Sequence, residues 1–252
     1  MAKRDEVIDY LHTQLDCSSF GDSAENGLQI EGRDEILKVA VGVDAGLSVA
    51  QLAVEAGADM LVVHHGIFWG KPIPICGAHR EKVEFFLTNK LNLAAYHLPL
   101  DAHPVLGNNA CLAQLLKVDH LEPAFEYHGQ PVGFVGSNIE GLTFKDYQHR
   151  LSGLIGYSTA SCFEFGPRVP KKVGIVSGGG ADALYLCRKL GVDTLISGEP
   201  KQFSYHFAKE EHLNVIFAGH YATETLGVQE LGKALEQKFG VSWEFINEPT
   251  GI

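Results

Sequence analysis

The chain has 252 residues, of which 45% are hydrophobic and 20% are charged, a balance typical of a folded protein with one large or two small α/β domains. Its formal net charge of −11 argues against a broad electrostatic surface for nucleic acid or anionic lipid. No stretch reaches the roughly 18 apolar residues that span a bilayer, and the first residues lack the apolar core of a signal peptide. Five scattered cysteines without a C-x-x-C pair favour free thiols, so we expect a cytoplasmic protein.

An internal repeat organises the predicted elements. Residues 39–65 and 173–199 align without a gap at a constant offset of 134. Each copy begins with a short strand, turns through glycine, continues as a helix and reaches Gly-x-Asp before a second apolar strand. That order predicts a β-α-β unit in each copy. Gly57 and Asp59 of the first copy correspond to Gly191 and Asp193 of the second.

A further echo extends the repeat beyond these units. The apolar runs at 91–96 and 213–218 resemble each other, and each is followed by a loop and a helix, at 108–116 and 226–238. We therefore predict an α/β fold of two similar halves related by internal duplication.

A middle segment joins the two halves. Residues 131–136 predict a strand, and residues 143–154 predict a helix with Thr143 as its cap. Residues 166–170 form a glycine- and proline-punctuated linker. The predicted organisation is a first half over 1–125, a connecting strand–helix segment over 126–170 and a second half over 171–252.

Polar side chains cluster after the predicted strands. Ligands of open α/β sheets bind beyond the carboxyl ends of the strands. Three such ends carry histidine, and two of these also carry a carboxylate nearby. The candidate residues are His64, His65, His97, Asp101, His220 and Glu224.

The five candidates His64, His65, Asp101, His220 and Glu224 also have ordinary alternative roles. His64 and His65 could simply end a strand, and because adjacent side chains of a strand point to opposite sides, we expect them to serve two ions rather than one. His220 and Glu224 are four residues apart and share a face if the chain is helical there, although a surface ion pair has the same spacing. Asp101 could instead cap the following turn. Together these oxygen and nitrogen donors suit Zn, Mn, Fe, Co or Mg.

Two further groups follow strands of the second half. The run Ser177–Gly180 lacks the spacing of a nucleotide-binding loop, so we expect its glycines to let the backbone approach the other half or an anionic substrate. Glu199 corresponds to His65 in the repeat and is expected to support a ligand or to act as an acid or base.

The chain resembles a known family across nearly its whole length. The motifs that carry the resemblance are Glu25–Gln29, His64–Gly66, His97–His103, Gly107–Asn109, Ser177–Gly180, Ser197–Glu199 and Gly219–Glu224. They are similar to those of the GTP cyclohydrolase 1 type 2 homologues, also called the Ngg-interacting-factor-three-like family, in the short bacterial form. Tyr221 departs from the pattern, since relatives often have a second histidine there.

The resemblance implies two similar α/β halves with a metal cleft between them that holds a dinuclear site, and it implies a ring-shaped homohexamer. It implies that the five ligands are His64, His65, Asp101, His220 and Glu224, with Glu224 shared by both ions. The physiological metal is left open.

Three functions are compatible with such a site. The first is a two-metal hydrolase that activates water against a nucleotide-like or other polar small molecule, with His97 or Glu199 transferring protons; ring opening of a purine nucleotide is one specific version. The second is a metal carrier or regulatory binding protein without turnover. The third is a ring that associates with DNA, which the net charge disfavours.

Overall fold

The computed structural model describes residues 1–155 and 161–252, which form two compact units. The first unit comprises Met1–Leu100 and Gly227–Glu248, and the second comprises Asp101–Leu226 and Pro249–Ile252. Residues 156–160 of the predicted connecting segment lie outside the described part. None of the described helices is both long enough and apolar enough to cross a membrane.

Helices and strands alternate along most of the chain. In chain order they are β1 (Ala2–Lys3), α1 (Arg4–Gln14), β2 (Gly27–Ile30), β3 (Glu35–Ile36), β4 (Lys38–Asp44), α2 (Leu47–Glu55), β5 (Met60–His65), α3 (Gly77–Asn89), β6 (Asn92–Ala95), α4 (Leu98–Ala102), α5 (Asn108–Leu116), β7 (Asp119–Tyr127), β8 (Gln130–Ser137), α6 (Phe144–Ile155), β9 (Ser161–Glu164), β10 (Lys172–Val176), α7 (Leu184–Leu190), β11 (Thr194–Ser197), α8 (Ser204–Glu210), β12 (Asn214–Phe217), α9 (His220–Thr223), α10 (Thr225–Phe239) and β13 (Ser242–Phe245). Short 3₁₀ helices occur at Cys17–Ser19 and Gly180–Ala183.

The sheet of the first unit has the strand order β13-β4-β5-β6-β2 over the described residues. Strands β13, β4, β5 and β6 run parallel, and β2 is antiparallel to β6. Residues Met60–His64 of β5 are buried without alternation, as predicted for a strand covered on both faces. One apolar cluster packs Ala50 and Ala53 of α2 and Phe86 of α3 against Leu61 and Leu93 of the sheet.

The sheet of the second unit has the order β7-β8-β10-β11-β12-β9 over the described residues. Strands β10, β11 and β12 run parallel, flanked by the antiparallel strands β8 and β9. Leu195 belongs to an apolar cluster with Leu184 of α7, whereas its neighbour Ile196 belongs to another with Leu112 of α5 and Tyr147 of α6. Successive side chains therefore serve opposite faces of the sheet, each covered by its own helices.

The parallel strands of the two sheets have the same register. Val39 pairs with Met60 in the first unit, and Val173 pairs with Thr194 in the second. Val173 lies 134 residues after Val39, and Thr194 lies 134 residues after Met60, which is the offset that relates the two copies in the sequence. The duplicated β-α-β units predicted from the sequence are thus present.

A buried asparagine begins the third parallel strand of each sheet. Asn92 accepts a hydrogen bond from the Gly32 N–H at 2.7 Å, and Asn214 accepts one from the Gly166 N–H at 2.8 Å. Each asparagine also donates to the carbonyl oxygen of the residue after that glycine. Both side chains are fully buried, where an unsatisfied amide would cost about 1–3 kcal/mol. The two copies therefore share an equivalent buried, hydrogen-bonded asparagine as well as a similar composition.

The compact units have boundaries that differ from the predicted segments 1–125, 126–170 and 171–252. Strand β8 pairs with β10, so much of the connecting segment belongs to the sheet of the second unit. Strand β13 pairs with β4, so the last elements of the chain belong to the first unit. Both pairings join residues far apart in the sequence, which a reading in chain order does not reveal.

Candidate metal-binding residues

His64 lies at the carboxyl end of β5 and is fully buried. Its Nδ1 atom lies 2.9 Å from the carbonyl oxygen of Tyr96. A carbonyl oxygen can only accept, so Nδ1 carries the hydrogen and the lone pair is on Nε2. A histidine that ligates a metal usually donates its other ring N–H in this way.

His65 has the corresponding arrangement with a carboxylate. Its Nδ1 atom lies 2.9 Å from Oδ1 of Asp44, the residue that pairs with it at the end of β4. The rings of His64 and His65 have their centroids only 4.7 Å apart. The expected divergence of adjacent side chains is therefore not observed, because β5 ends at His65 and the two acceptors hold the rings.

His97, proposed as a proton-transfer group, follows β6 and is also held by a carboxylate. Its Nδ1 atom lies 3.0 Å from Oδ1 of Asp22, and its backbone N–H donates to Oδ1 of Asn26 at 2.7 Å. The Asp22 side chain is only 2% exposed. Burial alone would raise the pKa of Asp22, but hydrogen bonds from His97, the Ala24 N–H and Asn26 hold it well below its usual range. Asp22 is therefore ionised and orients the His97 ring.

Three histidines of the first unit form a group that could hold a metal ion. One potential ligand atom from each of His64, His65 and His97 lies within 4.8 Å of the others. His97 thus lies with the two predicted ligands of this unit.

His220 and Glu224 face each other in the second unit. Their i, i+4 spacing places His220 Nε2 3.2 Å from Glu224 Oε1, because α9 begins at His220. Two atoms that bind one ion at about 2.0–2.2 Å are about 3.0–3.4 Å apart, so this pair fits a common ion. Burial opposes protonation of His220, but hydrogen bonding to Glu224 and the charge of Glu199 raise its pKa to about 9. The site thus attracts positive charge.

Glu199 lies on the other side of the His220 ring. Its Oε1 atom is 3.3 Å from His220 Nδ1, so it supports a predicted ligand much as Asp44 supports His65. Its side chain is 40% exposed.

Gly178 leaves room for these side chains. A Cβ atom at this position would overlap the Glu224 carboxylate and lie 3.0 Å from His220 Nε2. Gly178 also has a φ of +58°, in the left-handed region that favours glycine. The close approach observed at Gly178 is to predicted metal ligands of the same unit, and the expected approach to the other half or to an anionic substrate stays a prediction.

Asp101, the remaining predicted ligand, is a buried residue of α4. Its Oδ1 atom accepts hydrogen bonds from Asn108 Nδ2 and from Ser177 Oγ, each at 2.9 Å. Two donors on one oxygen fix the orientation of the carboxylate, as expected for a residue whose position matters for binding.

The match to known proteins covers almost the entire chain. The sequence model of the family described as Duf34/NIF3 (NGG1p interacting factor 3) matches residues 2–250. The chain belongs to the DUF34/NIF3 family. The family resemblance identified in the sequence is therefore confirmed.

Relatives of this DUF34/NIF3 protein match over similar lengths. A Deinococcus radiodurans protein named GTP cyclohydrolase 1 type 2 homolog is 42% identical over 251 residues, which are 99% of this chain and 94% of that protein. A Pyrococcus horikoshii protein of the same name is 41% identical and covers 99% of each chain. The solved structure of TTHA1606 from Thermus thermophilus has a TM-score of 0.91 at 39% identity, with 100% of both chains covered. Another, described as protein ybgI of unknown function, has a TM-score of 0.92 at 33% identity, also over 100% of both chains.

Two supporting carboxylates of this family member are absent from the sequence prediction. Asp44 is the last residue of β4, so the rule that selected the other strand ends would have selected it too. Asp22 lies in a loop 75 residues before its partner His97, and no local pattern connects the two.

Proposed function

We propose that this chain is a divalent-metal-dependent hydrolase whose ligands are His64, His65, Asp101, His220 and Glu224. The observation that carries the proposal is that hydrogen bonds within each unit hold the side chains that would donate to the metal. The Nδ1 atoms of His64 and His65 donate to oxygen acceptors, and His220 Nε2 lies 3.2 Å from the Glu224 carboxylate. Such hydrogen-bonded support fixes ring orientation and raises the basicity of the donor. The cleft expected between the halves stays a prediction.

We infer that the five side chains bind two ions, with Glu224 shared. Paired divalent ions lower the pKa of bound water and polarise the bond to be hydrolysed. The chain supplies binding and proton transfer. We expect Glu199, whose carboxylate is partly exposed, or His97, held by Asp22, to accept and return the proton. The N–H groups of the 178–180 turn are proposed to bind an anionic group of the substrate.

The proposed substrate is a polar small molecule of the nucleotide class. Relatives carry the name GTP cyclohydrolase 1 type 2 homolog, which makes ring opening of a purine nucleotide the first reaction to test. The net charge of −11 favours a small molecule over a nucleic acid, because a nucleic acid needs an extended basic surface.

The test combines metal analysis with a substrate screen. Protein of known metal content is assayed on GTP, with formate release as the readout, and on nucleotides, phosphoesters and amides. A variant with His64→Ala and His220→Ala is compared with His149→Ala, which removes an exposed histidine of α6. We expect about two ions per chain at saturation and turnover that the double variant alone loses. Tight, exchangeable metal without turnover would instead indicate a carrier, and one ion per chain would contradict the dinuclear site.

Assembly and location form a separate part of the proposal. The family resemblance supports a homohexamer, which light scattering tests as a mass near six chains; a stable monomer or dimer over a wide concentration range would remove the ring. The five cysteines are scattered along the sequence without a C-x-x-C pair, which supports a reducing compartment such as the cytoplasm.

A further inference from the structure

We propose that the first unit also binds a single divalent ion by itself, through the Nε2 atoms of His64, His65 and His97. This site goes beyond the proposed function, because it requires neither Glu224 nor turnover, although the two share His64 and His65. It assigns His97 to metal binding, and in that state its Nε2 atom is not available for the proton transfer proposed above.

The first argument is the common orientation of the three rings. The Nδ1 atom of His64 lies 2.9 Å from a backbone carbonyl oxygen, that of His65 lies 2.9 Å from a carboxylate, and that of His97 lies 3.0 Å from another. Each of these oxygens accepts, so each Nδ1 donates. All three histidines are therefore held as the tautomer whose lone pair is on Nε2, which is the form that binds a metal.

The second argument is their separation. Ring centroids are 4.7 Å apart for His64 and His65, 5.1 Å for His64 and His97, and 5.7 Å for His65 and His97. The potential ligand atoms all lie within 4.8 Å of one another. Three nitrogens bound tetrahedrally at about 2.0–2.1 Å are about 3.3 Å apart, so small rotations of the rings bring them onto one ion.

The third argument is the position of Asp22. In addition to the hydrogen bond from His97, this carboxylate accepts hydrogen bonds from the N–H groups of Ala24 and Leu98, both at 3.0 Å, and from Asn26 Nδ2 at 3.1 Å. Burying a carboxylate is costly unless it is hydrogen-bonded, and here the bonds join the 22–26 loop to the residues that follow β6. Asp22 is thus a positioning residue whose effect is to fix the His97 ring.

The donor set predicts which ions bind. Three neutral imidazoles suit Zn²⁺, Co²⁺ and Ni²⁺, whereas Mg²⁺ and Ca²⁺ require oxygen ligands. We therefore expect this unit to discriminate between the two classes of ion.

Trp69 provides a direct readout. Its ring centroid lies 5.0 Å from that of His97 and 5.9 Å from that of His65, and its Nε1–H donates to the Gly66 carbonyl oxygen. The sequence contains only two tryptophans, so quenching of Trp69 by a paramagnetic ion should be resolved. Co²⁺ bound to the three histidines should quench its fluorescence, and Trp69→Phe should remove that signal without removing the ion.

The experiment uses a full-length background in which the other proposed ligands are replaced by Asp101→Asn, His220→Gln and Glu224→Gln. Calorimetry and fluorescence then follow titration with Co²⁺ and, separately, Mg²⁺. We expect one Co²⁺ per chain with quenching, and no binding of Mg²⁺. In this background His97→Gln should weaken Co²⁺ binding by about a hundredfold and Asp22→Asn by about 10–100-fold, whereas His149→Gln should leave it unchanged.

The possible failures of the two proposals are distinct. Two ions on the unaltered chain but none on the background would overturn the three-histidine site and leave the dinuclear site standing. One ion on the unaltered chain and one on the background, lost in each with His97→Gln, would overturn the dinuclear site and leave the three-histidine site standing. If the background does not fold, as judged by circular dichroism, X-ray absorption of the unaltered chain at one equivalent of Co²⁺ decides the matter. Three imidazole ligands, reduced to two by His97→Gln, support the site, and an unchanged count overturns it.

Discussion

Replacing Gly178 with alanine should displace the proposed metal ligands of the second unit. An L-residue in the left-handed conformation costs about 1–2 kcal/mol, and the new methyl group would overlap the Glu224 carboxylate and lie 3.0 Å from His220 Nε2. Overpacking of this kind costs about 1–3 kcal/mol. If the Glu224 side chain moves to relieve the overlap, the same energy appears as lost metal affinity, about 5- to 150-fold.

Gly191→Ala is the matched control. Gly191 has a φ of +69°, close to the +58° of Gly178, but a Cβ atom there would meet nothing within 4 Å. Both variants share the backbone cost, so their difference isolates the overlap. Calorimetry should give weaker metal binding for Gly178→Ala only, and its Tm should lie about 2–12 °C below that of the control. Equal metal affinity and equal Tm in the two variants would refute this account of the glycine.

The other predictions concern ligands, their support and pH. Glu224→Ala should lower occupancy of both ions and Asp101→Ala mainly of one, as measured by elemental analysis; loss of the same single ion in both would show that Glu224 is not shared. Asp44→Ala should weaken metal binding by about 10–100-fold in calorimetry, and an unchanged affinity would deny its supporting role. The pKa of His220 is raised from 6.5 to about 9 in the folded protein, so its stabilising contribution is complete below pH 6.5 and is lost as the pH rises to about 9. Thermal unfolding of chelator-treated protein should reveal this loss, and a parallel profile for His220→Gln would contradict it.

Helices whose periodicity and caps lie within the segment itself were predicted from the sequence. The helix predicted over 108–116 is observed as Asn108–Leu116, and the helix capped by Thr143 begins at Phe144. The side chains of Thr143 and Asp146 each bond to the other's backbone N–H, which is the reason for that start. Strand β9 and the pairing of β13 with β4 were not predicted, because each depends on a partner far away in the sequence.

The candidate site shows the same division. The positions of His64 and His65 at the carboxyl end of β5, and of His220 after β12, agree with the rule that ligands bind at the carboxyl ends of strands. The orientation of each ring depends on a particular acceptor. For His97 that acceptor is Asp22, whose position is fixed by its own hydrogen bonds with a distant loop rather than by any periodicity.

One position that is equivalent in the two copies of the repeat has opposite roles in them. Asp44 and Gly178 are equivalent in the repeat, and so are His65 and Glu199. In the first copy the position bears a carboxylate that bonds to His65, whereas in the second copy it bears no side chain and leaves space for Glu224. The copies are therefore no longer interchangeable. A chimera with residues 39–65 in place of 173–199 would keep the strand register but set an aspartate against the Glu224 carboxylate, so each half is fitted to its own proposed ligands.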